Sequence, residues 1–308
     1  MRRSLLISLT LALGVAAPAV AVPLGAAPAA ASAARTGTFP KVTGGFGKVP
    51  TITFAKGEKP PAKLEVSVLH RGSGPLTKKG DLLVANYVGQ IWSGKVFDSS
   101  FTRHQLSGFA IGVGTVIKGW DKTLVGVHAG SRLLLVIPPA DGYGSAGLSQ
   151  AGITGKDTLV FVVDVVASYS HATEVSGHAA HTRRTVGGVT VAGSLGAPPT
   201  ISVSKTATKP KSPTTTVLDR GHGPAITPGL VVVQYVVTNW SGVVQDSTWK
   251  NGTPYGINVD IASNPTIFDA LKGVPLGSRI LVDIPAGTGG GPYAFVADLI
   301  AEPHDPQH

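Results

Sequence analysis

The chain has 308 residues, 43% of them hydrophobic, so it is long enough for about two domains and can bury a core. It contains no cysteine, which excludes disulfides, thiol nucleophiles, cysteine metal sites and lipid attachment through a thiol. The formal net charge is +9, but no basic patch is interleaved with aromatic residues, and nucleic acid is therefore not an expected partner. Abundant valine, isoleucine and threonine with little helical periodicity predict mostly β structure.

The first segment, residues 1–34, is predicted to be a signal peptide followed by an alanine-rich stretch. Arg2-Arg3 forms a short basic region, residues 5–15 form an apolar core, and small-residue cleavage patterns lie at 19–21 and 31–33. The apolar run is too short to span a bilayer, and no later run approaches about 18 apolar residues. The sequence therefore predicts export, with no membrane span in the mature chain.

Composition changes near residue 60, which separates an N-terminal extension, 35–60, from a first predicted domain, 61–168. The extension is polar and rich in glycine and proline, with one β-prone stretch at 51–54. Apolar runs and alternating patterns in the domain favour strands. The predicted strands are 64–69, 82–92, one starting at 96, 132–137 and 158–166.

One short helix is predicted in this domain, over residues 117–125. Ile117, Trp120 and Leu124 share a helical face, because they are spaced i, i+3, i+7. Gly126 is a suitable point for the helix to end.

Residues 169–212 have the composition of a linker, with few large apolar residues and one candidate strand at 200–203. The basic side chains there fit a solvated linker or an attraction to anionic cell-envelope polymers. His171, His178 and His181 cluster in the same stretch, which fits a solvated linker or adventitious metal binding. No resident metal or other cofactor is predicted.

Residues 213–302 repeat the first domain and are followed by a short tail, 303–308. Six similar stretches occur in the same order in both, which predicts two copies of one fold. The pairs are 68–75 with 217–224, 83–87 with 231–235, 92–94 with 240–242, 97–99 with 245–247, 124–127 with 271–274, and 130–138 with 277–285.

Motifs for nucleophilic, metal or dinucleotide chemistry are not found. Gly112-x-Gly114 is followed by Ile117 where a dinucleotide-binding loop requires its third glycine, and no histidine pair has metalloprotease spacing. What remains is a concentration of aromatic residues around one acidic residue in the first domain. Each aromatic residue taken alone fits a core position.

Together, however, four stretches resemble the FKBP-type peptidyl-prolyl cis-trans isomerases over roughly residues 64–167. These are VANYVG, SGKVFDSS, FAIGVGTVIKGWDKTLVGVHAGSRLLLVIPPADGYG and TLVFVVDVV. The resemblance implies an α+β fold in which a five-stranded antiparallel sheet wraps around a short helix, and the repeat implies that this fold is present twice.

The resemblance also implies a proline pocket between the sheet and the helix. Val116 and Ile117 would frame its mouth, and the Ile117 N–H would hold a substrate carbonyl. Asp98 and the Tyr143 hydroxyl would be the polar groups beside the rotating amide, and Ile153 would close the rim. For Asp98, a capping carboxylate after the preceding strand is the alternative. Five aromatic residues would form the floor and walls: Trp120 beneath the proline ring, with Tyr87, Phe97, Phe109 and Phe161 around it.

Such a pocket needs no cofactor, since rotation about an Xaa-Pro bond makes no covalent intermediate. The barrier is about 18–20 kcal/mol because planarity carries the amide resonance. An apolar site that binds the twisted amide better than the planar one lowers this barrier. The predicted partners are proline-containing polypeptides of exported proteins, and the family adds macrolide ligands. The alternative function is a non-catalytic chaperone or cell-envelope binding module on the same scaffold.

Two departures from the family pattern support that alternative. The loop after Tyr143 is one residue longer than usual, with Leu148 where histidine is frequent and Thr154-Gly155 where prolines are common. In the second copy the pocket is predicted to be lost. There Gln245 replaces Phe97, Ile267 replaces Trp120, Ser263-Asn264 replace Val116-Ile117, and the tyrosine loop shortens to residues 286–291.

Overall fold

The computed structural model describes residues 39–173, 175, 181–259, 266–287 and 290–307. The predicted signal segment and Ser263-Asn264 lie outside these residues. The described part of the chain divides into two compact units: a first unit of residues 39–168 with 304–307, and a second unit within 169–303. In the described residues, no helix has the length and apolar character needed to cross a membrane.

The first unit contains eight strands and two short α-helices. The strands are β1 (Lys41–Thr43), β2 (Thr51–Thr53), β3 (Glu65–His70), β4 (Leu82–Ile91), β5 (Val96–Ser99), β6 (Ser107–Ala110), β7 (Arg132–Ile137) and β8 (Leu159–Tyr169). The helices are α1 (Ser100–Arg103) and α2 (Lys118–Thr123), and single 3₁₀ turns occupy Pro139–Asp141, Gly144–Ala146 and Ser149–Ala151.

The main sheet of this unit is antiparallel, in the order β3-β7-β8-β4-β5, with β6 also paired to β4. Strands β5 and β6 pair with different halves of β4, because α1 lies between them in the chain. The sheet therefore has five strand positions. Strands β7 and most of β8 are fully buried, as their continuous Val/Leu/Ile/Phe runs predict.

Helix α2 packs against the inner face of this sheet. It is shorter than the predicted 117–125, since Ile117 is the N-cap and Leu124 the C-cap. Trp120 and Leu124 are buried in the core, as the predicted helical face requires. The helix approaches the sheet closely at Gly119, where a Cβ atom would lie 2.7 Å from Ile137.

A hairpin of β1 and β2 covers the outer face of the sheet. Phe39, Val42, Ile52 and Phe54 pack there against Leu134, Val160 and Val162. Beneath the hairpin lies a buried ion pair: Arg132 donates to both carboxylate oxygens of Asp164, at 2.5 and 2.7 Å, and to the carbonyls of Gly44 and Lys48. The Gly47 N–H donates to the same carboxylate at 2.8 Å. The extension therefore packs as part of the first unit.

The second unit contains nine strands and one short α-helix. The strands are β9 (His181–Val186), β10 (Val189–Ser194), β11 (Thr200–Val203), β12 (Thr214–Asp219), β13 (Gly229–Asn239), β14 (Val244–Ser247), β15 (Tyr255–Val259), β16 (Arg279–Ile284) and β17 (Tyr293–Ala301). The helix is α3 (Thr248–Asn251), and Asp269–Leu271 form a 3₁₀ turn.

Its main sheet has the order β12-β16-β17-β13-β14, with β15 also paired to β13. This order matches that of the first sheet strand for strand. The irregularities in register match too: a bulge between Val217 and Asp219 corresponds to one between Val68 and His70.

The linker predicted at 169–212 contains more structure than the single strand expected at 200–203. Strands β9, β10 and β11 form an antiparallel three-stranded sheet. Val189 and Val191 of this small sheet are buried against the outer face of the main sheet. Buried Arg279 binds Asp298 and also donates to three backbone carbonyls of this sheet and its loop: Gly193, Ser194 and Ala197. The sequence indicated only β11, because the apolar positions of β9 and β10 are only alternate ones in a polar stretch.

Candidate active site

An apolar pocket opens between α2 and the inner face of the first sheet. The residues that line it are Tyr87, Phe109, Val116, Ile117, Trp120, Tyr143 and Phe161. All seven are among the residues that the sequence predicts for a proline pocket. They come from five separate segments, namely β4, β6, the turn before α2 with α2 itself, the loop after β7, and β8.

Trp120 lies at the centre of the aromatic side chains. Its ring centroid is 4.9 Å from that of Phe109, 5.5 Å from Tyr87 and 5.3 Å from Phe161, with interplanar angles of 73–87°. Edge-to-face pairs of this kind are favourable because the positive ring edge meets the negative ring face. The contacts fix the rings as rigid walls, so the pocket keeps its shape without a ligand.

Two polar atoms inside this apolar group have no hydrogen-bond partner among the described residues. They are the indole Nε1 of Trp120 and the hydroxyl oxygen of Tyr143, both buried. Burial, and then the negative charge of Asp98, raise the pKa of Tyr143 above its ordinary value. The Tyr143 hydroxyl therefore keeps its proton and is available as a donor. Buried polar groups without partners are uncommon and mark sites where a ligand can supply the partner.

Asp98 lies beside the pocket, not in its lining. Its carboxylate accepts a hydrogen bond from the Tyr87 hydroxyl and is paired with Arg103. Arg103 Nη2 also donates to the Tyr87 hydroxyl oxygen at 2.9 Å. Burial, then the charge of Asp98, raise the pKa of Tyr87. The three side chains hold one another in a fixed arrangement at the pocket wall.

The helix that follows Asp98 is capped by the next residue. Ser99 is the N-cap of α1, and its side chain accepts from the N–H of Thr102. Arg103 belongs to the same helix and was missed by the sequence analysis. Its signal was available: a helix one turn long after Asp98 brings residue 103 back towards the carboxylate.

The remaining predicted residues lie behind the lining. Phe97 is partly buried and its ring packs edge to face on Phe161 at 5.5 Å. Both rings sit over Gly89, where a Cβ atom would lie 2.7 Å from Phe161 and 2.8 Å from Phe97. Ile153 is 3% exposed and belongs to the core cluster, so it anchors the overhanging loop to the core.

A second residue missed by the sequence analysis shapes the pocket mouth. Asp121 accepts hydrogen bonds from the N–H groups of Gly112 and Gly114, at 2.6 and 2.7 Å. Both glycines have positive φ, which allows the tight loop that leads into Val116 and Ile117. Asp121 thereby ties this loop to α2.

The corresponding region of the second unit is built differently. The Tyr235 hydroxyl donates to Asp246, but Asn251 contacts that carboxylate where Arg103 does so in the first unit. Tyr235 stacks on Phe295, with centroids 4.9 Å apart. Phe268 also packs on Phe295, with ring centroids 5.2 Å apart, although the sequence comparison places Ile267 at the tryptophan position.

Among described residues, no group of three or more His, Asp or Glu side chains is arranged to hold a metal ion. Another cavity lies in the second unit and is lined in part by Lys209, Asn239 and Gln245. Its charged and amide groups do not suit an apolar proline ring. The first-unit pocket is therefore the candidate active site.

Comparison with known proteins identifies the family. The family model described as FKBP-type peptidyl-prolyl cis-trans isomerase matches residues 74–166. An FK506-binding protein of Streptomyces anulatus is 39% identical over 119 residues, 38% of this chain and 95% of the relative. Peptidyl-prolyl cis-trans isomerase FKBP2 of Homo sapiens is 41% identical over 120 residues, 38% of this chain and 82% of the relative.

A solved structure of a peptidyl-prolyl cis-trans isomerase from Pseudomonas syringae pv. tomato is 30% identical. It covers 34% of this chain and 75% of its own, with a TM-score of 0.31. The assignment rests on the sequence relatives, which are matched over most of their length. The chain belongs to the FKBP-type peptidyl-prolyl cis-trans isomerases.

Proposed function

We propose that the first unit isomerises Xaa-Pro bonds in exported polypeptides, with catalysis in the pocket around Trp120. The observation that carries the proposal is the aromatic enclosure with two unpartnered donors inside it. A proline ring is apolar and compact, and it would fill the enclosure over Trp120. The flanking peptide groups would lie at the mouth, near Val116 and Ile117.

Catalysis in such a site is differential binding. A planar amide keeps its resonance, whereas the twisted transition state has lost it and presents a pyramidal nitrogen and a less polar carbonyl. The rigid rings hold the proline side of the bond while the other side turns. Each 1.36 kcal/mol by which the site prefers the twisted form speeds isomerisation about tenfold.

Each polar group has a separate role in this proposal. The Tyr143 hydroxyl donates to a substrate carbonyl, which gives it the partner that it lacks in the free enzyme. The Ile117 N–H, at the start of α2 where backbone donors lack intrahelical acceptors, holds a second carbonyl. Asp98 is held by Arg103 and Tyr87 and acts through its fixed charge beside the rotating bond.

For the second unit we propose a degenerate FKBP-like copy with a structural or protein-binding role. The shared strand order supports a common fold. The changes around Phe295 and the loss of the arginine beside Asp246 support the absence of isomerisation there. The name of the Streptomyces relative refers to FK506, and we extend that ligand class to the first-unit pocket only.

A blocked-mouth variant tests the proposed site. Val116→Trp places a large side chain at the half-buried mouth, so kcat/KM for a Xaa-Pro peptide should fall by more than about tenfold in the full chain. Val113→Trp is the matched control, because Val113 lies three residues away and is 45% exposed. Equal activity of the two variants would contradict the assignment of the pocket.

Two further measurements address the alternative and the location. A non-catalytic chaperone would suppress aggregation of a proline-free client while giving no acceleration of cis/trans exchange in the same preparation. Export rests on the sequence of residues 1–34. Mass spectrometry of protein recovered outside expressing bacterial cells should find a new N-terminus near residue 22 or 34.

A further inference from the structure

A buried asparagine lies directly behind the pocket wall. Asn86 is 0% exposed and precedes Tyr87 on β4, so its side chain points to the opposite face of the strand. A primary amide has two N–H donors and a carbonyl oxygen, and all of them need partners when buried. The partners come from the segment 304–307 and from Ser100.

The segment 304–307 supplies much of what this amide needs. Asn86 Nδ2 donates to Asp305 Oδ1 at 3.0 Å, and Gln307 Nε2 donates to Asn86 Oδ1 at 3.1 Å. The segment is itself ordered by Asp305, which accepts from the Gln307 backbone N–H at 3.0 Å. Pro306 packs on Gly47, where a Cβ atom would lie 2.8 Å from the Pro306 carbonyl oxygen.

Asn86 in turn is connected to the candidate active site. Its Oδ1 accepts a hydrogen bond from the Ser100 hydroxyl at 2.9 Å, and that hydroxyl accepts from the backbone N–H of Tyr87 at 2.8 Å. Ser100 is the first residue of α1, which carries Arg103 at its other end. The amide therefore fixes both the strand that carries Tyr87 and the helix that carries the Asp98 partner.

We propose that residues 304–307 are a positioning element for the isomerase site. They complete the hydrogen bonds of Asn86, and Asn86 holds Ser100 and, through it, the backbone of Tyr87. The inference rests on the proposed function of the first-unit pocket. It adds Asp305 and Gln307, which lie 219 and 221 positions from Asn86 in the chain, to the set of residues on which turnover depends.

The second unit also has a buried amide side chain at this position, with fewer hydrogen bonds. Gln234 precedes Tyr235 as Asn86 precedes Tyr87, and it is 2% exposed. Its Nε2 donates to the His171 carbonyl at 3.0 Å, while its Oε1 has no hydrogen-bond partner. A chain segment thus reaches this position in both units, but only Asn86 receives side-chain partners on both its nitrogen and its oxygen from that segment.

Point variants of the full chain test this proposal. Asp305→Ala removes the acceptor of Asn86 Nδ2, whereas Asp305→Asn keeps an acceptor oxygen in the same place. Exposed His304, in the same segment, gives the control His304→Ala. The measurement is kcat/KM for a Xaa-Pro peptide per folded molecule, with the folded fraction taken from circular dichroism at the assay temperature.

We expect kcat/KM to fall about three- to tenfold in Asp305→Ala, because a displaced wall residue weakens transition-state contacts. Asp305→Asn and His304→Ala should stay within about twofold of the parent chain. An unchanged kcat/KM in Asp305→Ala, even with lower stability, would overturn the proposal. So would an equal loss in Asp305→Asn. If Val116→Trp lowers kcat/KM by more than about tenfold while Asp305→Ala leaves it unchanged, this inference fails and the proposed function stands.

Discussion

The variant Tyr143→Phe, which removes only the hydroxyl oxygen, should lower kcat/KM without lowering the free energy of unfolding. In the free enzyme the Tyr143 hydroxyl is buried without a partner. An unpaired buried polar group costs about 1–3 kcal/mol, so Tyr143→Phe should leave the free energy of unfolding unchanged or raise it. In the proposed transition state the same hydroxyl gains a carbonyl partner. Losing that hydrogen bond, worth about 0.5–1.5 kcal/mol, should lower kcat/KM about two- to tenfold.

Tyr87→Phe is the matched control, since it removes the same atom from the same pocket. The Tyr87 hydroxyl donates to Asp98 and accepts from Arg103, so its loss takes one hydrogen bond from each of these charged groups, which stay paired with each other. We expect Tyr87→Phe to lose about 1–3 kcal/mol of stability. Urea denaturation followed by tryptophan fluorescence measures stability, and exchange of a Xaa-Pro peptide by NMR measures turnover. A Tyr143→Phe variant that is fully active, or as unstable as Tyr87→Phe, would refute the reasoning.

Three further outcomes are expected. Asp98→Asn should lower kcat/KM about tenfold with the fold retained, as circular dichroism and peptide exchange can check, because the fixed charge beside the rotating amide is lost. Arg132→Met should lower the free energy of unfolding of the first unit by about 3–5 kcal/mol, because it leaves the buried carboxylate of Asp164 without its charged partner. Arg279→Met should instead lower the thermal stability of the second unit and leave turnover unchanged. Finally, burial and the Asp98 charge raise the pKa values of Tyr87 and Tyr143 in the folded chain. The stability that depends on their protonated forms is complete below the unfolded pKa of about 10 and declines as pH rises through the folded values. Urea midpoints measured from about pH 8 to pH 11 should therefore fall above pH 10, and fall less in Tyr143→Phe.

The sequence predicted the elements of the first sheet well because burial leaves a strong pattern. Strands β7 and β8 are continuous apolar runs, and only a few residues separate their observed bounds from the predicted ones. The pocket residues followed from the family resemblance, since an isolated aromatic residue does not distinguish a wall from a core.

The sequence analysis missed contacts that form only when short helices and loops adopt their folded geometry. Arg103 and Asp121 are ordinary surface charges until α1 and the loop before α2 bring their partners within hydrogen-bond reach. The sheet of β9–β11 was interpreted as a linker, because only alternate valines of this polar stretch pack on the main sheet of the second unit. The contact of Phe268 with Phe295 was also missed; Phe268 is the N-cap of the 3₁₀ turn Asp269–Leu271.

The hairpin over the first sheet has a consequence for the order of folding. Its loop reaches the buried carboxylate of Asp164 through the N–H of Gly47, a contact that spans 117 residues. Closing so long a loop is slow and must wait for the distal strand. During synthesis, Phe39, Val42 and Ile52 would remain uncovered until β8 is available. We therefore expect the chain to be prone to aggregation while its first unit is incomplete.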